Sequence, residues 1–80
     1  MRLDKYLKVA RIIKRRTVAN EACDNSRVLV NSKPARASYD VKVGDIIEVG
    51  FGGRTVKVMV TAVSETVKKE ESTTLYKIIE

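Results

Sequence analysis

The sequence contains no histidine and a single cysteine, Cys23. One thiol cannot form an intramolecular disulfide, and without histidine or further cysteine there is no Cys or His metal site. The same shortage removes the Ser-His and Cys-His pairs that activate nucleophiles. No stretch approaches the roughly 20 consecutive apolar residues that span a bilayer. Arg2, Asp4, Lys5 and Lys8 break up the amino terminus before the apolar run of a secretory signal can develop. Internal repeats, low-complexity tracts and interdomain linkers are missing too. Together these absences predict a single domain over residues 1–80 in a reducing, cytoplasmic setting, with no cofactor and no catalytic chemistry. A chain of 80 residues buries only about 60% of its unfolded surface. That leaves one thin core and no room for a deep substrate cavity.

What the chain does have is positive charge, unevenly spread. Sixteen Lys and Arg stand against ten Asp and Glu. Residues 1–36 hold ten of the basic side chains and only three of the acidic ones, while residues 37–80 are close to neutral. Such a cationic half concentrates polyanions. Nucleic acid is the first candidate partner and an anionic membrane surface the second.

Residues 2–14 have helical periodicity, with Leu3, Tyr6, Leu7, Ala10 and Ile13 on one stripe and Asp4, Lys5, Lys8 and Arg11 opposite. On this spacing Asp4 pairs with Lys8 or Arg11. After Lys14-Arg15-Arg16, Thr17 is the expected N-cap of a second helix over 18–24. In that helix Val18, Ala19, Ala22 and Cys23 face inward, and Asn20, Glu21 and Asp24 face away. Asn25 or Ser26 then takes the left-handed conformation that closes it. From Arg27 the period becomes two. Val28–Val30 reads as a strand, Asn31-Ser32 as a turn, Pro34 and 35–40 as a loop, and Ile46–Val49 as a strand. Gly52-Gly53 reads as a hairpin turn, followed by Val56, Val58 and Val60 on one strand face. The polar stretch 64–74 is expected to be a mobile loop before a last strand at 75–79.

The run Arg2-Leu3-Asp4-Lys5, Arg11, Lys14-Arg15-Arg16-Thr17, Ala19, Arg27-Val28-Leu29-Val30-Asn31 and Val43-Gly44-Asp45 resembles the S4-type RNA-binding domain. Arg54-Thr55-Val56, Ala62 and Leu75-Tyr76 extend the likeness to the small, stand-alone, ribosome-associated members. Among these are the S4-like heat-shock protein of stalled large subunits and Gram-positive ribosome quality-control factors. The resemblance implies an α+β, S4-like (αL-type) fold, with two short antiparallel N-terminal helices on a small, mainly antiparallel sheet. It implies an RNA-binding core over about 2–50 and a C-terminal β-hairpin extension over about 51–80. By position Arg2, Lys5, Arg11, Lys14 and Arg16 match basic sites of the motif, and Asn31 matches its turn. Lys8, Arg15, Thr17 and Arg27 complete the candidate RNA-binding set. The family usually has Gly where this chain has Ser26 and Ser32, so altered turns are expected there.

The implied function is non-catalytic binding of 23S rRNA on the large (50S) subunit, with peptidyl-tRNA, in rescue or quality control of stalled nascent chains. A nascent-chain tailing factor is an implied partner, and the protein is expected to be a monomer off the ribosome. A rival is an RNA-targeting accessory module of an RNA-modifying enzyme such as a pseudouridine synthase, for which a catalytic domain is expected only if these 80 residues are a fragment of a longer chain. Membrane binding requires an exposed apolar face beside the cations, and the first helix is expected to spend its apolar face on the core. Several features have plainer readings. Gly50-Phe51-Gly52-Gly53 lacks the lysine spacing of a phosphate loop, Cys23 reads as a small core residue, and Tyr6, Tyr39 and Tyr76 default to packing. Lys68-Lys69 and Glu70-Glu71 read as a solvated loop.

Overall fold

The computed structural model describes residues 1–63 and 75–79; the expected loop over 64–74 lies outside them. The element order is α1 (Leu3–Val9), α2 (Arg16–Asp24), β1 (Val28–Val30), β2 (Lys33–Pro34), β3 (Ile46–Phe51), β4 (Arg54–Val60) and β5 (Tyr76–Ile78). The strands form one sheet in the order β2-β1-β3-β4-β5, and every pairing is antiparallel. This is the expected α+β arrangement of two short helices on a small sheet.

One face of the sheet carries the core. Val28 and Val30, Ile47 and Val49, and Val58 and Val60 alternate inward on the three central strands. They meet Leu3, Tyr6, Leu7 and Ala10 from the first helical segment and Ala19 and Cys23 from α2. Each fully buried Leu, Ile or Val contributes about 1.5–3 kcal/mol, so these few side chains hold most of the fold. The Tyr6 hydroxyl donates to the Leu75 carbonyl at 2.6 Å, joining α1 to the chain just before β5. Burial and the neighbouring Tyr76 push the Tyr6 hydroxyl far above the usual phenol range.

The first helix stops at Val9 rather than reaching residue 14. Arg11 has φ 60°; its N–H donates to Lys8 O, and Ile12 N–H donates to Leu7 O, both at 3.0 Å. This paired-bond C-cap is a Schellman motif, built here on an arginine where Gly or Asn is usual. The turn lets Ile13 reach the core outside any helix. The second helix ends the same way: Ser26 has φ 59°, and the N–H groups of Ser26 and Arg27 donate to Cys23 O and Ala22 O.

Other expectations need correction. Helix α2 begins at Arg16, with Arg15 as N-cap and no side-chain cap bond, so Thr17 is an exposed first-turn residue. Val18 is 47% exposed, because the inward face of α2 runs through Ala19 and Cys23. Lys33–Pro34 is a two-residue edge strand rather than loop, a position proline tolerates because an edge N–H needs no ladder partner. Asn31 and Ser32 both have positive φ (52° and 69°) between Val30 and its partner Lys33, as a tight two-residue hairpin requires. At the second hairpin Phe51 pairs with Arg54, and only Gly52 of the two glycines has positive φ. No helix among the described residues is long and apolar enough to cross a membrane.

Candidate RNA interface

The N-terminal residues are fastened to the loop before β3. Val41 N–H donates to Met1 O and Leu3 N–H to Tyr39 O, each at 2.8 Å, and Asp4 N–H to Ala37 O at 3.2 Å. The Met1 amino group pairs with Asp40 at 2.8 Å. Arg2 forms an isolated antiparallel bridge with Asp40. The backbone of residues 1–4 is thereby held in one place.

Asp4 does not lie on the solvent face with Lys8 and Arg11. It is only 2% exposed, turned toward α2. Its Oδ1 accepts from Arg2 Nε at 3.1 Å and from the Lys5 N–H at 2.8 Å. Its Oδ2 accepts from Arg16 Nε and from Asn20 Nδ2, both at 3.3 Å, and Arg2 Nη2 approaches at 3.4 Å. Burial pushes the Asp4 carboxyl up, but the hydrogen bonds from Arg2, Asn20, Arg16 and the Lys5 backbone outweigh it and hold the group below its ordinary range. Asp4 therefore stays ionised and fully partnered.

The consequence is two guanidinium groups tethered to one carboxylate. The Arg2 and Arg16 side chains remain 50% and 47% exposed, so each presents part of its planar fork to solvent. Their mutual repulsion is offset by Asp4, and the trio keeps a net positive charge. Arginine in this state matches phosphate bidentately and stacks on unpaired bases. An open cleft beside it is lined by Arg2, Asp4, Arg16, Thr17, Asn20 and Glu21.

The structure thus gathers Arg2, Arg16 and Thr17 of the expected set. Lys8, Arg11, Lys14 and Arg15 are all exposed, on α1 and in the connection between the helices, and Lys5 is half-buried. Arg27 lies apart, at the other end of α2, in a hollow with Glu48 and Gly50. Two participants were missed. Asn20, assigned to the outer face, is one helical turn beyond Arg16, and that spacing was the available signal. Glu21, also assigned outward, borders the cationic cleft. The half-buried Tyr39 is held in place by its hydroxyl, which donates to Asp45 at 2.8 Å. Cys23 is buried; burial, with Asp4 and Asp24 adding to it, pushes its thiol up to about 11, which suits a packing residue.

A family model for the S4 domain matches residues 1–47. The chain belongs to the S4 domain family. The S4 match covers both helices, β1, β2 and the start of β3, including every residue of the Asp4 cluster. Over 78 residues the chain is 53% identical to the RQC P-site tRNA stabilizing factor of Halalkalibacterium halodurans, covering 98% of this chain and 89% of that protein. It is 51% identical over 79 residues to the protein of the same name from Bacillus subtilis, covering 99% and 92%. Among solved structures it is similar to the trimeric Vibrio cholerae heat shock protein 15, with a TM-score of 0.90 and 28% identity, covering 98% of this chain and 80% of that one. The S4-like α+β fold expected from the motif residues is thus present.

Proposed function

We propose that this S4 protein is a non-catalytic RNA-binding factor of ribosome quality control. It binds 23S rRNA on the large subunit and steadies a peptidyl-tRNA in the P site. The observation that carries this reading is the pair of half-exposed arginines sharing the buried Asp4 carboxylate. They form a preorganised cationic clamp, and Lys8, Arg11, Lys14 and Arg15 are exposed on α1 and in the connection between the helices. The names of its relatives point the same way. A rigid body that contacts two RNA backbones at once adds two weak affinities and holds one RNA against the other. Residues 2–50 act as the RNA-binding core, and 51–80 as a hairpin extension that completes its sheet. The protein works in the cytoplasm as a monomer, and a tailing factor or the subunit itself supplies any peptide chemistry.

The reading as an accessory module of an RNA-modifying enzyme is less well supported. The chain spans 89% and 92% of the relatives named above, which leaves those proteins little length for a catalytic domain. A membrane-surface role is disfavoured because Leu3, Tyr6 and Leu7 of α1 are buried in the core. The test is to isolate the protein from cells with a C-terminal tag, since the Met1 amine is paired with Asp40. Large subunits carrying peptidyl-tRNA are the expected companions. Recovery with intact translating ribosomes alone, or with messenger RNA alone, overturns the quality-control assignment.

A further inference from the structure

A second surface feature is not absorbed by the Asp4 cluster. The edge strand β2 and the loop after it frame a hollow whose lining includes Lys33, Pro34, Ala35, Arg36, Ser38 and Tyr39. Lys33, Pro34, Arg36 and Ser38 are exposed, and Ala35 and Tyr39 are half-buried. Strand β2 is the outermost of the sheet.

The wall of this hollow is fixed. The Tyr39 hydroxyl and the Asn31 amide both donate to Asp45, at 2.8 and 3.1 Å, and the Asn31 carbonyl oxygen accepts from Ile46 N–H at 3.0 Å. Asp45 is 8% exposed and receives the Lys42 N–H as well. Its charge is thus enclosed by donors. Of the other carboxylates near this loop, Asp40 is paired with the Met1 amine, and Asp24 borders an adjoining hollow with Pro34, Ala35 and Arg36 without a side-chain bond to Arg36. By contrast the side chains of Lys33, Arg36 and Ser38 have no hydrogen-bond or ion-pair partner among the described residues. The hollow therefore combines an apolar floor, a rigid wall whose polar groups are satisfied, and two cationic side chains unpaired among the described residues.

These are the requirements for an unstacked nucleotide. A base splayed out of a strand needs a flat apolar or guanidinium surface to stack on, and its phosphate needs a nearby cation. Pro34 and Ala35 supply the surface, Arg36 a plane, and Lys33 the point charge. The loop that carries Arg36 is bonded directly to the first turn of α1, through Asp4 N–H to Ala37 O at 3.2 Å. An RNA strand leaving the Arg2–Arg16 cleft can thus continue onto this loop.

Resting on the reading that this chain binds RNA, we propose that the β2 hollow takes one unpaired RNA nucleotide, its base against Pro34, Ala35 and the Arg36 guanidinium and its phosphate at Lys33. The hollow selects single-stranded over duplex RNA, because a base locked in a helix has no free face to offer.

The experiment titrates the full chain with hexa-adenylate and, separately, with a short blunt RNA duplex. Affinities are measured for wild type, Arg36→Ala, Arg36→Lys and Arg16→Ala, and amide shifts are followed by NMR. Hexa-adenylate is expected to shift the amides of residues 33–38 except proline, and the duplex is not. Arg36→Ala is expected to weaken hexa-adenylate binding about tenfold, the size of one lost stacking contact. Arg36→Lys, which keeps the charge and loses the plane, should not restore it. Unshifted amides at 33–38, full rescue by Arg36→Lys, or equal losses for the duplex each overturn the proposal. Arg16→Ala separates the two levels. If it weakens the duplex while Arg36→Ala leaves hexa-adenylate unaffected, the hollow alone is refuted. If neither variant alters either RNA, the RNA-binding reading falls with it.

Discussion

Arg16 donates its Nε to Asp4 at 3.3 Å across twelve positions of chain, and this contact ties the start of the second helix to the start of the first. Asp4→Asn keeps the shape of the side chain but puts an amide among donors that need an acceptor. We expect it to destabilise the fold by about 1–3 kcal/mol, less than for a fully buried pair because both arginines are half-exposed. Urea unfolding measures this, and a midpoint equal to that of wild type contradicts it.

Arg16→Ala should weaken RNA binding by about 1–3 kcal/mol with a small change in stability. It should also flatten the salt dependence: each phosphate contact contributes roughly 0.7–0.9 to the slope of log K against log salt. Glu21→Gln, which removes a negative charge from the same cleft, should leave binding equal to wild type or tighter. A salt series with ribosomal subunits is the measurement. A flat wild-type response would show that the face is not electrostatic.

Acid should unfold the protein through two carboxylates. Asp4 and Asp45 are each pushed up by burial, yet hydrogen bonds hold both below their ordinary range: Arg2, Asn20, Arg16 and the Lys5 backbone at Asp4, and the Lys42 backbone, Tyr39 and Asn31 at Asp45. A depressed folded pKa means that stability is complete above the unfolded carboxylate value of about 3.9. It is then lost as pH falls through the lower folded values. The expected urea midpoint is level near neutrality and drops below about pH 4. Asp45→Asn should make that drop shallower.

Tyr6→Phe removes the hydroxyl that donates to the Leu75 carbonyl at 2.6 Å. The carbonyl keeps its bonds from the Thr61 and Ala62 N–H groups, at 3.0 and 3.3 Å, so losing the hydroxyl should cost only about 0.5–1.5 kcal/mol. Hydrogen exchange should report the loosening most strongly in β5, which follows Leu75. Uniform loss of protection across the whole sheet would argue against a local tether.

Ser26 and Ser32 sit at φ 59° and 69°, where a Cβ is strained. Ser26→Gly and Ser32→Gly should each stabilise by about 0.5–1 kcal/mol. Thermal unfolding is the check, and a lower melting temperature for both would mean that the serine side chains contribute something the backbone does not reveal.

Local rules carried much of this protein. The inward alternation on β1, β3 and β4, the Gly52-Gly53 and Asn31-Ser32 turns and the cationic first half follow from period, turn chemistry and charge, which act over a few neighbouring residues. The S4 motif residues placed the rest of the fold. What required the tertiary structure was direction and partnership. Residues 10–14 continue the helical pattern of α1, yet the chain turns at Arg11, with φ 60°, and Ile13 enters the core from outside the helix. Asp4 has the spacing of a surface partner for Lys8, but the close approach of α2 removes it from water, and a desolvated carboxylate takes the most donors within reach: Arg2, Arg16, Asn20 and the Lys5 N–H. Charge along the chain determined that this protein meets polyanions. Only the packing of the two helices decided which arginines present themselves together, because desolvation depends on what comes near in space.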